Sequence, residues 1–151
     1  EVKAEASALL RAMRRAAPKV GITGFLVQEM VRGIEVILGV RDDPLYGPVM
    51  VVGAGGVLVE LMKDTAFRML PVAPRDARAM IGELAVAKLL AGFRGSAPAD
   101  IDALVRAICG LSRYYLDHRA WLADLEINPL IVLPKGKGVR AVDIRTVPRN
   151  G

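Results

Sequence analysis

The run from Leu125 to Leu133 (LEINPLIVL), followed by Pro134 to Lys137 and then Gly138 to Asp143, constrains the fold more than any other stretch. Two apolar runs of strand length flank a turn rich in Pro, Gly and Lys, which is the pattern of a β-hairpin. A four-residue loop over 134–137 pairs Leu133 with Gly138 and sets Asn128 directly opposite Asp143. Alternation then places Leu125, Ile127, Pro129, Ile131, Val142 and Ile144 on one face, expected to be core. The other face takes Asp124, Glu126, Asn128, Asp143 and Arg145 at its open end, with Leu130, Val132 and Ala141 nearer the turn. A one-residue slip would scatter both sets. The second face thus collects hard oxygen donors, the kind that Mg²⁺ bridged to a nucleotide phosphate takes: one or two carboxylates, with water and phosphate completing the shell. A solvated acidic face is the competing reading, and the hairpin alone leaves both open.

With 151 residues the chain is about one domain with a real core. No apolar run reaches the roughly 18 residues of a membrane span. The opening Glu1-Val2-Lys3 is charged, with no signal-peptide core. The first residue is not Met, so the chain is expected to be a fragment or a processed form. The single cysteine, Cys109, excludes an internal disulfide and fits a reducing cytoplasm. It lies on the apolar side of a helical pattern, as a buried inert thiol. The net charge of +5 raises the question of polyanions, but the 15 arginines among 21 basic residues are spread along the chain. Aromatic residues make up 5%, too few for a base-stacking platform. The sequence therefore supports neither a nucleic-acid partner nor a membrane.

Residues 2 to about 17 read as a helix, with Ala6, Leu9, Leu10, Met13 and Ala17 at helical spacing and Pro18 and Gly21 ending it. Gly24 to Val31 reads as a strand, and Ile34 to Arg41 as a second. In the second, Ile34, Val36, Leu38 and Val40 share a face while Glu35 and Arg41 point together the other way. A turn-rich connection over 42–48 leads to a short buried strand over 49–52, then to Gly53-Ala54-Gly55-Gly56 and a further strand over 57–62. Residues 65–73 are extended. A helix starts at Pro74 and runs to about Ala91, and Gly92 to Pro98 is a loop. The clearest helix spans Asp100 to His118, with Ile101, Leu104, Val105, Ile108, Leu111 and Tyr115 as its apolar stripe and Asp100 and Asp102 at its positive end. The order α-β-β-β-β-α-α-β-β predicts an α+β fold, a mostly antiparallel sheet backed by helices.

Candidate chemistry is narrow. His118 stands alone at a helix C-terminus, where it favours the dipole, and no second histidine or thiolate cluster points to zinc. No serine has a nucleophile-elbow context. Gly53 to Gly56 matches neither a dinucleotide fingerprint nor a P-loop. A tight connection exploiting positive φ and a backbone approaching phosphate stand level there. Gln28-Glu29 in an apolar run, and Glu35 with Arg41 on one face, are more polar chemistry than an edge strand requires.

In order and spacing, Gly24 to Val31 (GFLVQEMV), Gly33-Ile34-Glu35, Gly47-Pro48, Gly55-Gly56 through Glu60, Arg94-Gly95, Glu126 to Leu130 (EINPL) and Ala141-Val142-Asp143 resemble the ATP-grasp domain of ADP-forming acyl-CoA synthetases, the acetate–CoA ligase (ADP-forming) and succinyl-CoA synthetase superfamily. The resemblance covers about residues 20–147, and the first helix fits it. It implies that Gln28 to Val31 form the hinge strand under the adenine, with the backbone of Glu29 and Val31 reading the base edge. Glu35 would bind the ribose hydroxyls, and Gly55 and Gly56 would lie near the phosphates. Asn128 and Asp143 would be the Mg²⁺ ligands, and Glu126 the catalytic acid facing the phosphorylated histidine of the superfamily. The implied cofactors are ATP/ADP and Mg²⁺. The implied reaction converts acid, CoA and ATP into acyl-CoA, ADP and phosphate through a phosphohistidine.

The sequence resembles the C-terminal lobe only. The first lobe's phosphate-clamping lysines, the histidine motifs and the CoA-binding domain have no counterpart, so CoA and the carboxylic acid are expected to bind through other domains. The chain alone is expected to be one domain, inactive by itself, with exposed apolar surface that implies self-association into a homo-oligomer. The alternative is a non-catalytic effector-binding or interaction module of a multidomain protein such as an acetyltransferase fusion.

Overall fold

The computed structural model describes residues 2–55 and 64–149, in two compact units, Glu1–Met30 and Val31–Gly151. In the first unit, α1 (Val2–Ala16) is the amphipathic helix expected from the sequence, and it buries none of its residues. Residues 21–32 carry no strand, contrary to the expectation for Gly24 to Val31, and Leu26, Val27 and Met30 are exposed. A strand needs a neighbour for its N–H and C=O groups. Among the described residues this segment pairs with none, so its apolar pattern is not converted into a ladder.

Among the described residues, the second unit is a six-stranded antiparallel sheet with helices on one face. Its strands are β1 (Ile34–Asp43), β2 (Gly47–Ala54), β3 (Thr65–Met69), β4 (Leu122–Val132), β5 (Val139–Ala141) and β6 (Ile144–Pro148). The order is β3-β2-β1-β4-β5, with β6 also pairing β4. The alternation read from the sequence decides the faces: Val36, Leu38 and Val40 on β1 and Met50, Val52 and Ala54 on β2 are buried on the helix side. The strand expected over 57–62, and with it Gly56 and Glu60, lies outside the described residues.

Among the described residues the helices of this unit are α2 (Pro74–Glu83), the single turn α3 (Ala87–Leu90) and α4 (Ile101–His118). The sequence predicts one helix from Pro74 to Ala91; the structure breaks it at Leu84, whose backbone is extended at φ −84°, ψ 144°. The break has a distant cause. The Asp64 carboxylate accepts from the amides of Ala85 (2.8 Å) and Val86 (3.1 Å), drawing the backbone out of the helix while Leu84 is buried. Along α4, Leu104, Val105, Ile108 and Tyr115 are buried as the stripe predicts, each of the larger aliphatics contributing about 1.5–3 kcal/mol by burial.

Asp100 caps α4 and also ties it to the hairpin turn. One carboxylate oxygen accepts from Ala103 N (3.0 Å) and the other from Gly138 N (2.9 Å), while Asp100 N donates to Leu133 O (2.8 Å). These amide donors hold the carboxyl below the usual carboxylate range. Gly136 (φ 80°) and Gly138 (φ 82°) take the left-handed conformations that the turn requires.

Candidate functional site

The hairpin register is the expected one. Leu133 N donates to Gly138 O (3.0 Å), Ile131 pairs with Arg140, and Asn128 N donates to Asp143 O (3.0 Å). The same register carries on to Ile127↔Ile144 and Glu126↔Arg145. Asn128 and Asp143 are therefore direct cross-strand neighbours, with Glu126 two residues along.

The predicted faces hold only along part of the hairpin. Leu125 joins the core, but so do Leu130 and Val132, while Val142 and Ile144, expected in the core, are exposed. For Leu130 and Val132 a β-bulge is the reason. Val36 pairs with Leu130 and Leu38 with Ile127, so β4 advances three residues where β1 advances two. Pro129 sits within this step, where a residue without an N–H removes no ladder bond.

Glu126 and Asp124 lie on the face that the helices do not cover, with Ile37, Gly39 and Arg41 of β1 and Val51 of β2. Together with Arg145 these residues line a shallow cavity of about 200 Å³. Gly39 is level with Glu126, and a Cβ there would come within 3.2 Å of Leu125 O and 3.8 Å of Glu126 Cβ. Its bare backbone helps to keep the cavity open. The Glu126 carboxylate has a neighbour at each oxygen: Asn128 Nδ2 lies 3.4 Å from Oε1 and Arg145 NH2 3.7 Å from Oε2. With its Nδ2 turned to Glu126, Asn128 can offer a cation the diverging amide oxygen.

Among the described residues no three His, Cys, Asp or Glu side chains gather into a metal group. The corner instead offers two carboxylates, Glu126 and the exposed Asp143, and one amide, Asn128. An all-oxygen set of this size suits Mg²⁺, which keeps several waters and takes only a few protein ligands, so these residues fit that ion.

Glu35 is exposed near the other end of β1, on the same face as Gly39 and Arg41. Gly39 lies four positions further on, about 13 Å at the strand rise. Gly55 is brought to it: Gly55 N donates to Glu35 O at 2.9 Å. A Cβ on Gly55 would sit 2.7 Å from Glu35 C and Val36 N, so glycine is required here by close backbone approach rather than by positive φ. Gly53 is similarly confined: a Cβ there would sit 2.7 Å from Asp64 O. Gln28 and Glu29 are exposed residues of the first unit, and Val31 opens the second.

His118 is used locally, as its position at the helix end suggests. Its Nδ1 contacts Tyr114 O at 2.7 Å and its ring stacks on Tyr114 at 4.1 Å. Cys109 is partly buried, which pushes its thiol up from the ordinary range. The spacing of the sequence did not single out Gly39 or Asp64, because each matters through a partner distant in the chain. Asp100 was visible as a helix-start residue, but its bond to Gly138 was not.

Comparison with known proteins gives a consistent answer. The ATP-grasp domain family matches residues 1–147. The beta subunit of acetate–CoA ligase [ADP-forming] II from Pyrococcus furiosus is 39% identical over 89% of this chain and 57% of its own length. Acetate–CoA ligase [ADP-forming] I from Archaeoglobus fulgidus is 43% identical over 86% of this chain and 19% of its own length. This chain thus spans about half of the one relative and a fifth of the other. Among solved structures, acetyl-coenzyme A synthetase 1 from Ca. Korarchaeum cryptofilum is described in complex with coenzyme A and Mg-AMPPCP, its phosphohistidine segment pointing towards the nucleotide binding site. It aligns at TM-score 0.74 and 40% identity, over 80% of this chain and 55% of that one. A Pyrococcus horikoshii protein aligns at TM-score 0.81 and 35% identity, over 99% of this chain and 63% of that one. With an α+β antiparallel sheet, an oxygen-lined corner on its uncovered face and a family match along nearly its whole length, this chain belongs to the ATP-grasp domain family.

Proposed function

We propose that this chain is the nucleotide- and Mg²⁺-binding C-terminal lobe of an ADP-forming acyl-CoA synthetase. In this reading acid, CoA and ATP give acyl-CoA, ADP and phosphate through a phosphohistidine. The observation that carries the reading is the Asn128–Asp143 cross-strand pair with Glu126 beside it. This hard-oxygen corner lies on the uncovered sheet face of a chain whose relatives are named ADP-forming ligases.

Asn128 and Asp143 are the proposed Mg²⁺ ligands. Glu126 is the proposed catalytic acid, facing the phosphorylated histidine supplied from outside this chain. Glu35 binds the ribose hydroxyls, and the backbone of Gln28 to Val31, through Glu29 and Val31, reads the adenine edge. Gly55 and Gly56 lie near the phosphates. Glu35 stands about 13 Å along β1 from the level of Glu126. Mg²⁺, when bound, offsets the charge on the phosphates as the phosphoryl group passes. The protein's part is to hold the nucleotide in line and leave room for the acceptor at the cavity beside Glu126. CoA and the carboxylic acid bind through other domains, and the lobe alone turns nothing over. ATP and CoA as co-substrates imply a cytoplasmic enzyme; among the described residues no helix is long and apolar enough to cross a membrane. The exposed apolar residues of the chain support self-association in isolation, which light scattering reads directly.

The test is the product pair. The full-length protein carrying this chain, given ATP, Mg²⁺, CoA and a panel of short carboxylic acids, should release ADP and phosphate in step with acyl-CoA. Release of AMP and pyrophosphate, or no acyl-CoA from any acid, overturns the reading.

A further inference from the structure

Arg145 follows Asp143 by two residues and pairs directly across from Glu126. Its guanidinium reaches Glu126 Oε2 at 3.7 Å while Asn128 Nδ2 holds Oε1 at 3.4 Å. Arg145 is 68% exposed and Glu126 36%, so the pair contributes little to stability, about 0–1 kcal/mol for exposed ion pairs. It nevertheless stands in a particular place. The backbone register sets the two side chains opposite each other, so holding them together costs little ordering. Both line the cavity that Gly39 leaves open, and its other charged members, Arg41 and Asp124, face each other one level along.

Resting on the proposed role of Glu126, we infer that Arg145 is a positioning residue that acts through Glu126. It holds one carboxylate oxygen while Asn128 engages the other, fixing the Glu126 rotamer between the cavity and Asn128. With Arg145 removed, the carboxylate is free to leave its place beside Asn128 Nδ2 and turn toward Asp143, where it competes for the cation or the phosphates. Such a residue affects the rate more than nucleotide affinity, because the nucleotide's own contacts at Glu35 and at the hinge are untouched.

The experiment uses the full-length protein and the variants Arg145→Gln, Arg145→Lys, Glu126→Gln and the Arg145→Gln/Glu126→Gln double. Removing a group that orients another commonly costs about 10- to 100-fold in activity, and Arg145→Gln should lower kcat within that range while KM for ATP changes less than about 3-fold. Arg145→Lys, which keeps the charge, should recover most of the loss. The double variant should be no slower than Glu126→Gln alone, because one residue works through the other. Additive losses in the double, a raised KM with kcat unchanged, or wild-type kinetics in Arg145→Gln each overturn the inference. A crystal structure of Arg145→Gln supplies a readout independent of turnover: Glu126 should have left its position beside Asn128, and an unmoved carboxylate overturns the inference even in a protein without ligase activity. Absence of ligase turnover in the wild type, by contrast, overturns the functional reading and not the structural coupling.

Discussion

The two faces of the sheet are made from alternate residues of the same strands, yet they are finished by opposite rules. On the helix side Val36, Leu38, Met50, Val52, Leu104 and Ile108 are all but inaccessible to water, and size and shape decide what fits. On the uncovered side stand Glu35, Ile37, Gly39 and Arg41 of β1, with Asp124, Glu126 and Arg145 beside them, charged groups and an absent side chain around an open cavity. Two carboxylates and two arginines beside a glycine on a strand in the middle of the sheet are what the proposed site would use. The difference teaches how the faces divide the work: one face holds the sheet together, and the other is held by it.

That division can be broken by substitution. The largest effect belongs to the closed face: Leu104→Ala should cost about 2–5 kcal/mol in urea unfolding, the usual price of truncating a fully buried leucine. Gly55→Ala crosses the boundary. It forces a Cβ to within 2.7 Å of the β1 backbone, so it should cost about 1–3 kcal/mol as overpacking and also disturb the strand end that carries Glu35. A smaller effect is gated by pH. The Asp100 carboxyl is held below its ordinary range by the amides of Ala103 and Gly138, so its contribution is complete above the unfolded carboxylate pKa near 4. It is lost as pH falls through the lower folded value; Asp100→Asn should therefore flatten the acid limb of a Tm-against-pH curve while leaving its high-pH shape unchanged. The smallest effect is on the open face, where Arg41→Ala should alter unfolding by less than about 0.5 kcal/mol. A large loss there would show that the open face also serves stability, and the contrast between faces would fail.

Much of this contrast is legible in the residues themselves. The four-residue turn and the strand period place Asn128 opposite Asp143, and the structure has that pairing. The β1 alternation separates Glu35 and Arg41 from Val36 and Leu38 for the same reason. What stays hidden depends on partners far along the chain. The bulge that moves Leu130 and Val132 into the core arises from β1 pairing with β4, nearly a hundred residues away, and no local pattern records it. The break at Leu84 is imposed by Asp64. Gly24 to Val31 has the composition of a strand and lacks a ladder partner among the described residues, which propensity alone cannot supply. Of the candidate site, the meeting of Glu126, Asn128 and Asp143 follows from hairpin geometry, whereas their roles and those of Gln28, Glu29, Val31, Glu35, Gly55 and Gly56 follow from the family resemblance.

The central claim is that the open face carries the metal end of a nucleotide site, and Asp143 is its most exposed commitment. Steady-state turnover of the full-length protein should be compared with that of Asp143→Asn at saturating ATP across a Mg²⁺ titration. Loss of a ligand that neutralises phosphate charge is worth several kcal/mol, so Mg²⁺-dependent turnover should fall about 100-fold or more with the unfolding midpoint unchanged. Wild-type turnover and an unshifted Mg²⁺ dependence in Asp143→Asn would contradict the account.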